Sequence, residues 1–235
     1  WRVMKFSVSK DVFEKMDNLC FGVVVARGID NEENQNIAEI FNNNVLSAEA
    51  KFQDKKIKEM DEIVHYRNVF RDLGINPNKF MSSIEAIITR ISKHKGFPSI
   101  NPIVDLGNSL SIKYLVPLGA HDIGSLDNDI CIRFSNKGDS FIPFGSTEEE
   151  YLEDGELIYS VGDKVRTRRW IWRQSEEGKI TNKSKDIFFP IDGFKDKNYD
   201  NVIGARDELA KLLKDNFNCH VEVGFVDINN PDFEF

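Results

Sequence analysis

The side chains best suited to chemistry fall in two stretches of this 235-residue chain. The first, residues 96–122, sets Asn101, Asp105, Asn108 and His121 among apolar neighbours, with Gly107 and Gly119 permitting close backbone approach. Buried polar side chains need partners, so the run predicts either a hydrogen-bonded scaffold or a polar-lined pocket. His121 stands between Gly119-Ala120 and Asp122, where irregular backbone is expected. A neutral imidazole there could orient a water or a substrate hydroxyl. The second stretch, residues 164–174, reads KVRTRRWIWRQ. As one continuous strand it would point Arg166, Arg168, Trp170, Trp172 and Gln174 one way and Arg169 and Arg173 the other. Rings interleaved with guanidinium groups can stack on bases and hold phosphates. The competing reading makes the tryptophans core and the arginines a salt-bridged rim.

The common catalytic signatures (GxSxG, HExxH, a Walker loop, GxGxxG) are absent from the sequence. The four histidines lack metal-ligand spacing and no cysteine cluster complements them, so neither a metal nor another cofactor is expected. Without a recognisable nucleophile, hydrolysis here would rest on positioned water rather than a covalent intermediate. A net charge of -8 argues against nucleic-acid binding over the whole surface, though not against a local basic face. Cys20, Cys131 and Cys219 are far apart and read as free thiols of a reducing compartment. No apolar run reaches the roughly 18 residues needed to span a bilayer, and no signal-peptide pattern opens the chain. The expectation is a soluble, cytoplasmic protein with no membrane partner.

The elements that must position these residues are legible from periodicity. Residues 19–26, LCFGVVVA, form a continuous β-branched and aromatic run, the pattern of a strand buried on both faces. Helical spacing appears over 11–16, 33–52, 55–73 and 201–216, and the start at Ser82 fits a capping box with Glu85. A short helix is expected over 105–115. Strands are expected over 129–134, 141–144, 156–160, 164–173, 187–190 and 220–226. Helices come first and strands later, which predicts an α+β chain forming a single domain over 1–235.

Taken together, these stretches resemble the editing module of the phenylalanyl-tRNA synthetase β subunit, the B-three/B-four tRNA-binding domain. Asn101-Pro102-Ile103-Val104-Asp105 with Asn108, then Leu118-Gly119-Ala120-His121-Asp122, is similar to that module's N-x-V-V-D-x-T-N and G-Q-P-x-H-A-x-D. Gly145-Ser146-Thr147-Glu148 is similar to its D-G-T-E. The likeness is strongest over about 82–193. Free-standing proteins built on the module also show an R-x-x-F-x-x-L-G-x-x-P stretch like residues 67–77 and an R-x-W-x-W-R-Q like residues 168–174.

The resemblance implies a three-layer sandwich with two β-sheets and a helical layer. It implies hydrolysis of the ester of misacylated tRNA in trans, with the aminoacyl-tRNA 3′ end as partner and no capacity for aminoacylation. His121 and Asn101 would then position the reacting groups, with Asn108 as the other asparagine matching the motif. Glu176 corresponds to the acidic residue that reads the noncognate amino acid, but Arg173 and Gln174 stand near where the module carries glycines. That makes Trp172, Arg173, Gln174, Glu176 and Asn108 the substrate-facing set, in a smaller or more polar pocket, with Arg166, Arg168 and Arg169 facing RNA. Two other readings stay open: a non-catalytic tRNA-binding module, and a pocket for a free amino acid or small carboxylate.

Overall fold

The computed structural model describes residues 2–235; Trp1 lies outside the described residues. Its first half carries β1 (Lys5–Val8), α1 (Lys10–Lys15), β2 (Leu19–Arg27), α2 (Gln35–Phe52), α3 (Asp61–Asp72), α4 (Ser83–Ser92) and α5 (Pro102–Tyr114). Short strands follow: β3 (His121–Asp122), β4 (Ile130–Phe134), β5 (Ser140–Phe141), β6 (Glu150–Tyr151), β7 (Leu157–Val161), β8 (Lys164–Arg168) and β9 (Arg173–Gln174). The chain closes with β10 (Ile187–Phe194), α6 (Tyr199–Phe217), β11 (His220–Val226) and β12 (Asp232–Glu234).

Strand β2 shows why the layers form. Every residue from Leu19 to Ala26 is buried, because β2 lies inside a four-stranded sheet ordered β11-β2-β10-β3 and covered on both faces. Successive side chains alternate between those faces. Phe21, Val23 and Val25 join Phe6, Ile130 and Tyr159 of the second sheet, whereas Val24 and Ala26 meet Leu106, Leu110 and Leu209 of the helices. The second sheet has eight strands, ordered β12-β1-β4-β7-β8-β5-β6, with β9 paired to β8. Large sheet, small sheet and a layer built on α5 and α6 give the three-layer α+β sandwich that the resemblance implied. Between the sheets the ring of Phe6 lies 5.0 Å from Phe188 and 5.5 Å from Phe21; each such pair is worth roughly 0.5–1.5 kcal/mol beyond area burial. On the helical side a Cβ at Gly193 would come within 2.3 Å of Val202, so glycine there lets α6 seat directly on β10.

Four expectations need correction. The 164–173 strand ends at Arg168, because Arg169 and Trp170 take positive φ values of 47° and 60° and turn the chain. That turn buries the Trp170 indole completely, and Arg173 and Gln174 then return along β8. The face alternation read from a straight strand therefore fails beyond Arg168. The 55–73 helix is broken by a 3-10 turn at Ile57–Glu59 that buries Ile57, and α3 starts only after the extended Met60. The helix expected from 105 starts at Pro102, where the ring presets φ and the missing N–H costs nothing. The capping box is half formed: Ser82 Oγ accepts from the Glu85 N–H at 3.4 Å, while the Glu85 carboxylate turns to Arg67. No helix among the described residues is long and apolar enough to cross a membrane.

Candidate functional site

Two adjoining cavities open where β9 folds over the segment that precedes β3. The larger, about 540 Å³, lies between one face of α5, carrying Asn101, Val104 and Asn108, and residues 179–182. The smaller, about 90 Å³, is walled by His121, Tyr159, Trp172, Arg173, Pro190 and Asp192. Leu118, Gly119 and Gln174 border both, so the cavities meet at that point. Gln174 fixes the junction by donating from Nε2 to the Ala120 carbonyl at 2.7 Å.

His121 does not sit on irregular backbone. It is the first residue of β3, paired with Phe188 of β10, and is 2% exposed. Its ring stacks on Tyr159 with centroids 5.8 Å apart and an angle of 16°. Burial, reinforced by the positive charge of Arg166, lowers the imidazole to about 3. It is therefore neutral at physiological pH, able to donate or accept one hydrogen bond but not to stabilise an oxyanion as a cation. The Nε2 atom lies 3.6 Å from where a Gly119 Cβ would stand, which places it against the junction of the two cavities.

Asn101 and Asn108 share the α5 face but differ in what their amides do. Asn101 caps the helix, accepting from the Val104 N–H at 3.0 Å and donating to the Ile180 carbonyl at 3.4 Å. The side-chain amide of Asn108 makes no hydrogen bond to another described residue and is the one left available to a ligand. Replacing Asn101 with alanine is expected to lower stability by about 1 kcal/mol through loss of the cap. Thermal unfolding checks this, and an unchanged melting temperature would return Asn101 to a purely functional role.

The arginines separate into three kinds. Arg166 is 4% exposed and donates to the Ser125 carbonyl at 3.2 Å, with its Nε sealed and unpaired. Arg168 is held by Glu156 at 3.1 Å and Glu150 at 3.0 Å. Neither guanidinium is presented to an RNA, so their placement on an RNA-facing surface is corrected: one is buried and the other neutralised. Arg169 and Arg173 have no carboxylate partner among the described residues and pack on Trp172, at 4.6 and 4.4 Å from its ring. Arg169 also lies 3.7 Å from the centre of the Phe80 ring. Arg173 lines the smaller cavity, and Arg169 sits on the other contact of Trp172, with Glu156 and Glu150 acting on it from a distance. Glu176 lines neither cavity: its carboxylate accepts from the Gly145 N–H at 2.9 Å and from Lys179, and those bonds hold it below the usual carboxylate range. Its effect on the larger cavity is to position Lys179, which lines it beside the exposed ring of Phe144.

The residue that the sequence reading missed is Asp192. It is the lone acidic group in β10, IFFPIDGF, whose eight residues are all buried. A carboxylate inside such a run was the available signal, but the expected strand stopped at Pro190. Tyr159 Oη and Trp170 Nε1 donate to its Oδ2 at 2.6 and 2.8 Å, and Tyr66 Oη donates to its carbonyl at 2.7 Å. Burial outweighs the two side-chain donors and pushes the carboxyl up to about 7.

The site thus combines a small and a larger cavity with a neutral imidazole at their junction and the Arg173 guanidinium at the edge of the smaller one. No described serine or cysteine is hydrogen-bonded to His121, so the arrangement suits positioning of a water or hydroxyl. The fold that carries it is a two-sheet sandwich of the α+β class. Residues 65–214 match the family described as B3/4 domain, and the chain belongs to that family. Over 115 residues it is 30% identical to the phenylalanine–tRNA ligase beta subunit of Colwellia psychrerythraea (strain 34H / ATCC BAA-681), a match spanning 49% of this chain and 14% of that subunit. In three dimensions 92% of the chain superposes on 49% of an N-terminal fragment of the phenylalanyl-tRNA synthetase beta-subunit from Pyrococcus horikoshii, with a TM-score of 0.51 and 11% identity. The chain corresponds to a small part of the one relative and half of the other, and the structural likeness is one of fold.

Proposed function

We propose that this chain acts on aminoacyl-tRNA in trans, hydrolysing the ester of a misacylated 3′ end. The observation that carries this reading is the meeting of two unequal cavities at Gly119, with the neutral imidazole of His121 at their junction. The larger space lies in the ordinary range for small-molecule sites, roughly 300–1,000 Å³. It accommodates the terminal adenosine, with Asn108 and Lys179 as polar contacts and Phe144 as a stacking surface at the mouth. The smaller takes the aminoacyl group, and the ester then falls beside His121. An activated ester needs little more than a positioned water and an oriented ribose hydroxyl, so a site without a nucleophile suffices. Arg173 at the edge of the smaller cavity, with Arg169 packed on the same Trp172 ring, supplies the local positive potential that a net acidic protein needs to meet RNA.

Deacylation of a panel of correctly and incorrectly charged tRNAs tests the reading. Selective release of one amino acid is expected, reduced by about 100-fold or more in His121→Ala, the lower end of what one positioned proton-transfer group contributes. Full activity in the folded variant would remove His121 from the mechanism, and no release from any tRNA would remove hydrolysis. The second reading, a tRNA-binding module without hydrolysis, draws on Asn101, whose amide is engaged at both ends by the backbone. Binding that weakens steeply with salt, unaccompanied by ester cleavage, selects it.

A further inference from the structure

The floor of the smaller cavity holds a carboxyl group whose chemistry is only half used. Asp192 is 2% exposed, and both of its side-chain donors, Tyr159 and Trp170, converge on Oδ2. Its other oxygen, Oδ1, receives no donor from any described residue. Oδ1 is also not among the atoms that are both sealed and unpaired, which leaves it open to the cavity that Asp192 lines. A buried carboxylate without a cation is expensive, and structures ordinarily pair it.

The groups packed around Asp192 come from several elements, and none of them supplies that cation. Tyr159 on β7 and Tyr66 on α3 are buried phenols pushed well above their ordinary range. Cys20 on β2 is a thiol raised to about 12, and His121 on β3 is neutral through burial. Trp170 offers a neutral indole. Arg173 on β9 stands at the exposed edge of the cavity, stacked on Trp172. The cavity therefore combines mostly apolar walls, one open carboxylate oxygen and room for only a few heavy atoms.

We infer that Asp192 is a substrate-binding residue whose open oxygen holds the α-ammonium group of the aminoacyl moiety. The inference rests on the proposed function for the identity of the ligand. The α-ammonium is the one cation that every aminoacyl ester carries on the carbon next to its carbonyl. With His121 and Asp192 lining the same small space, an ester beside the imidazole brings its ammonium group to the carboxylate. The bond is charge-assisted and formed away from bulk water, where such bonds are strongest. The site would reject an N-acylated or deaminated analogue, because the buried carboxylate would again be left without its partner.

The test uses neither tRNA nor hydrolysis. The intact protein, labelled with nitrogen-15, is titrated at pH 7 with L-alaninamide and separately with propionamide, which has the same shape without the amine. The Trp170 indole N–H, bonded to Asp192, reports occupancy. Alaninamide is expected to shift that resonance and to bind at least tenfold more tightly than propionamide, with the preference lost in Asp192→Asn. Equal binding of the two amides overturns the inference, as does an unmoved indole at the solubility limit of alaninamide. An undiminished preference in Asp192→Asn does the same. Should that variant not fold, the wild-type comparison decides alone. A protein that deacylates tRNA yet binds both amides alike keeps the proposed function and loses this inference; one that prefers alaninamide but cleaves no ester keeps this recognition of an amine and loses hydrolysis.

Discussion

Replacing Arg67 with alanine is expected to lower stability by about 3–5 kcal/mol, the usual consequence of removing one partner of a buried ion pair. Both side chains are sealed, Arg67 at 6% and Glu85 at 3% exposure, with Nη1 to Oε1 at 2.6 Å. The same guanidinium reaches the Pro77 carbonyl at 3.3 Å and the Asn78 side chain, so it ties α3, the 77–78 turn and α4 into one unit. Burial pushes the Glu85 carboxyl up and the Arg67 charge pulls it back, while Oε2 is sealed without any partner. Without Arg67 only the more distant charges of Lys58 and Arg71 oppose the cost of that burial. Urea denaturation followed by fluorescence and far-UV circular dichroism measures the loss, and a midpoint shift worth less than about 1 kcal/mol would class the pair with surface bridges. The double variant Arg67→Met with Glu85→Leu should recover much of the deficit, since replacing both ions with apolar groups of similar volume is often close to neutral. The consequence reaches the site. Ser83, at the start of α4, lines the smaller cavity and donates its N–H to the Ile171 carbonyl at 2.9 Å, so a loosened α4 moves a wall of that cavity.

Periodic elements were readable and long-range ones were not. The all-apolar run of β2 announced burial on both faces, and Ser82 announced the start of α4, because both signals are local. Arg67, Phe70, Leu73, Gly74 and Pro77 also form a local pattern, but its purpose, a buried guanidinium clamp, depends on Glu85 from the next helix. Strands β1 and β12 escaped notice. They are short and pair with each other from opposite ends of the chain, Lys5 opposite Glu234, and β1 adds a parallel pairing to β4. Nothing in KFSV or DFE announces such partners. The turn at Arg169-Trp170 was hidden for another reason. Neither residue favours positive φ, and the conformation is held by tertiary contacts: the Trp170 indole with Asp192, and the Arg169 N–H with Glu156 at 3.1 Å. The candidate site divides in the same way. His121, Asn108, Gln174, Trp172 and Arg173 line the cavities, whereas Arg166 and Arg168 are claimed by the fold. Asp192 was missed because its strand reads as plain core.

The same two buried groups lead to the second large effect, a pair of opposed pH dependences. Asp192 is raised from 3.8 to about 7 in the folded chain. The stability it contributes is fully present below its unfolded value and is lost as pH rises through about 7, at roughly 1.4 kcal/mol per pH unit and on the order of 4 kcal/mol in all. His121 is lowered from 6.5 to about 3. Its contribution is present above 6.5 and is lost as pH falls through about 3, with a similar slope of opposite sign, about 1.4 kcal/mol per unit. Across the overlap, from about pH 4 to 6.5, the two slopes cancel in the wild type. Asp192→Asn removes one of them, so the stability of that variant relative to wild type should rise with pH over this window. His121→Gln removes the other, and its relative stability should fall. Denaturation midpoints at pH 4.5 and 6.5 should separate the two variants from wild type by about 3 kcal/mol in opposite directions. Other carboxylates add the same slope to all three proteins, so only the differences are read, and three parallel lines would sink the assignment. The sign also bears on recognition. At pH 5–6 Asp192 carries its proton and His121 is neutral, which leaves the floor of the cavity without the negative charge that an ammonium group needs, with Arg173 at its edge still a cation. The carboxylate that such a group needs forms as pH rises through about 7, and it does so at the folded state's expense. A bound α-ammonium would return part of that stability, so alaninamide should stabilise the wild type more at pH 7 than at pH 5.5 and should leave Asp192→Asn unmoved at both.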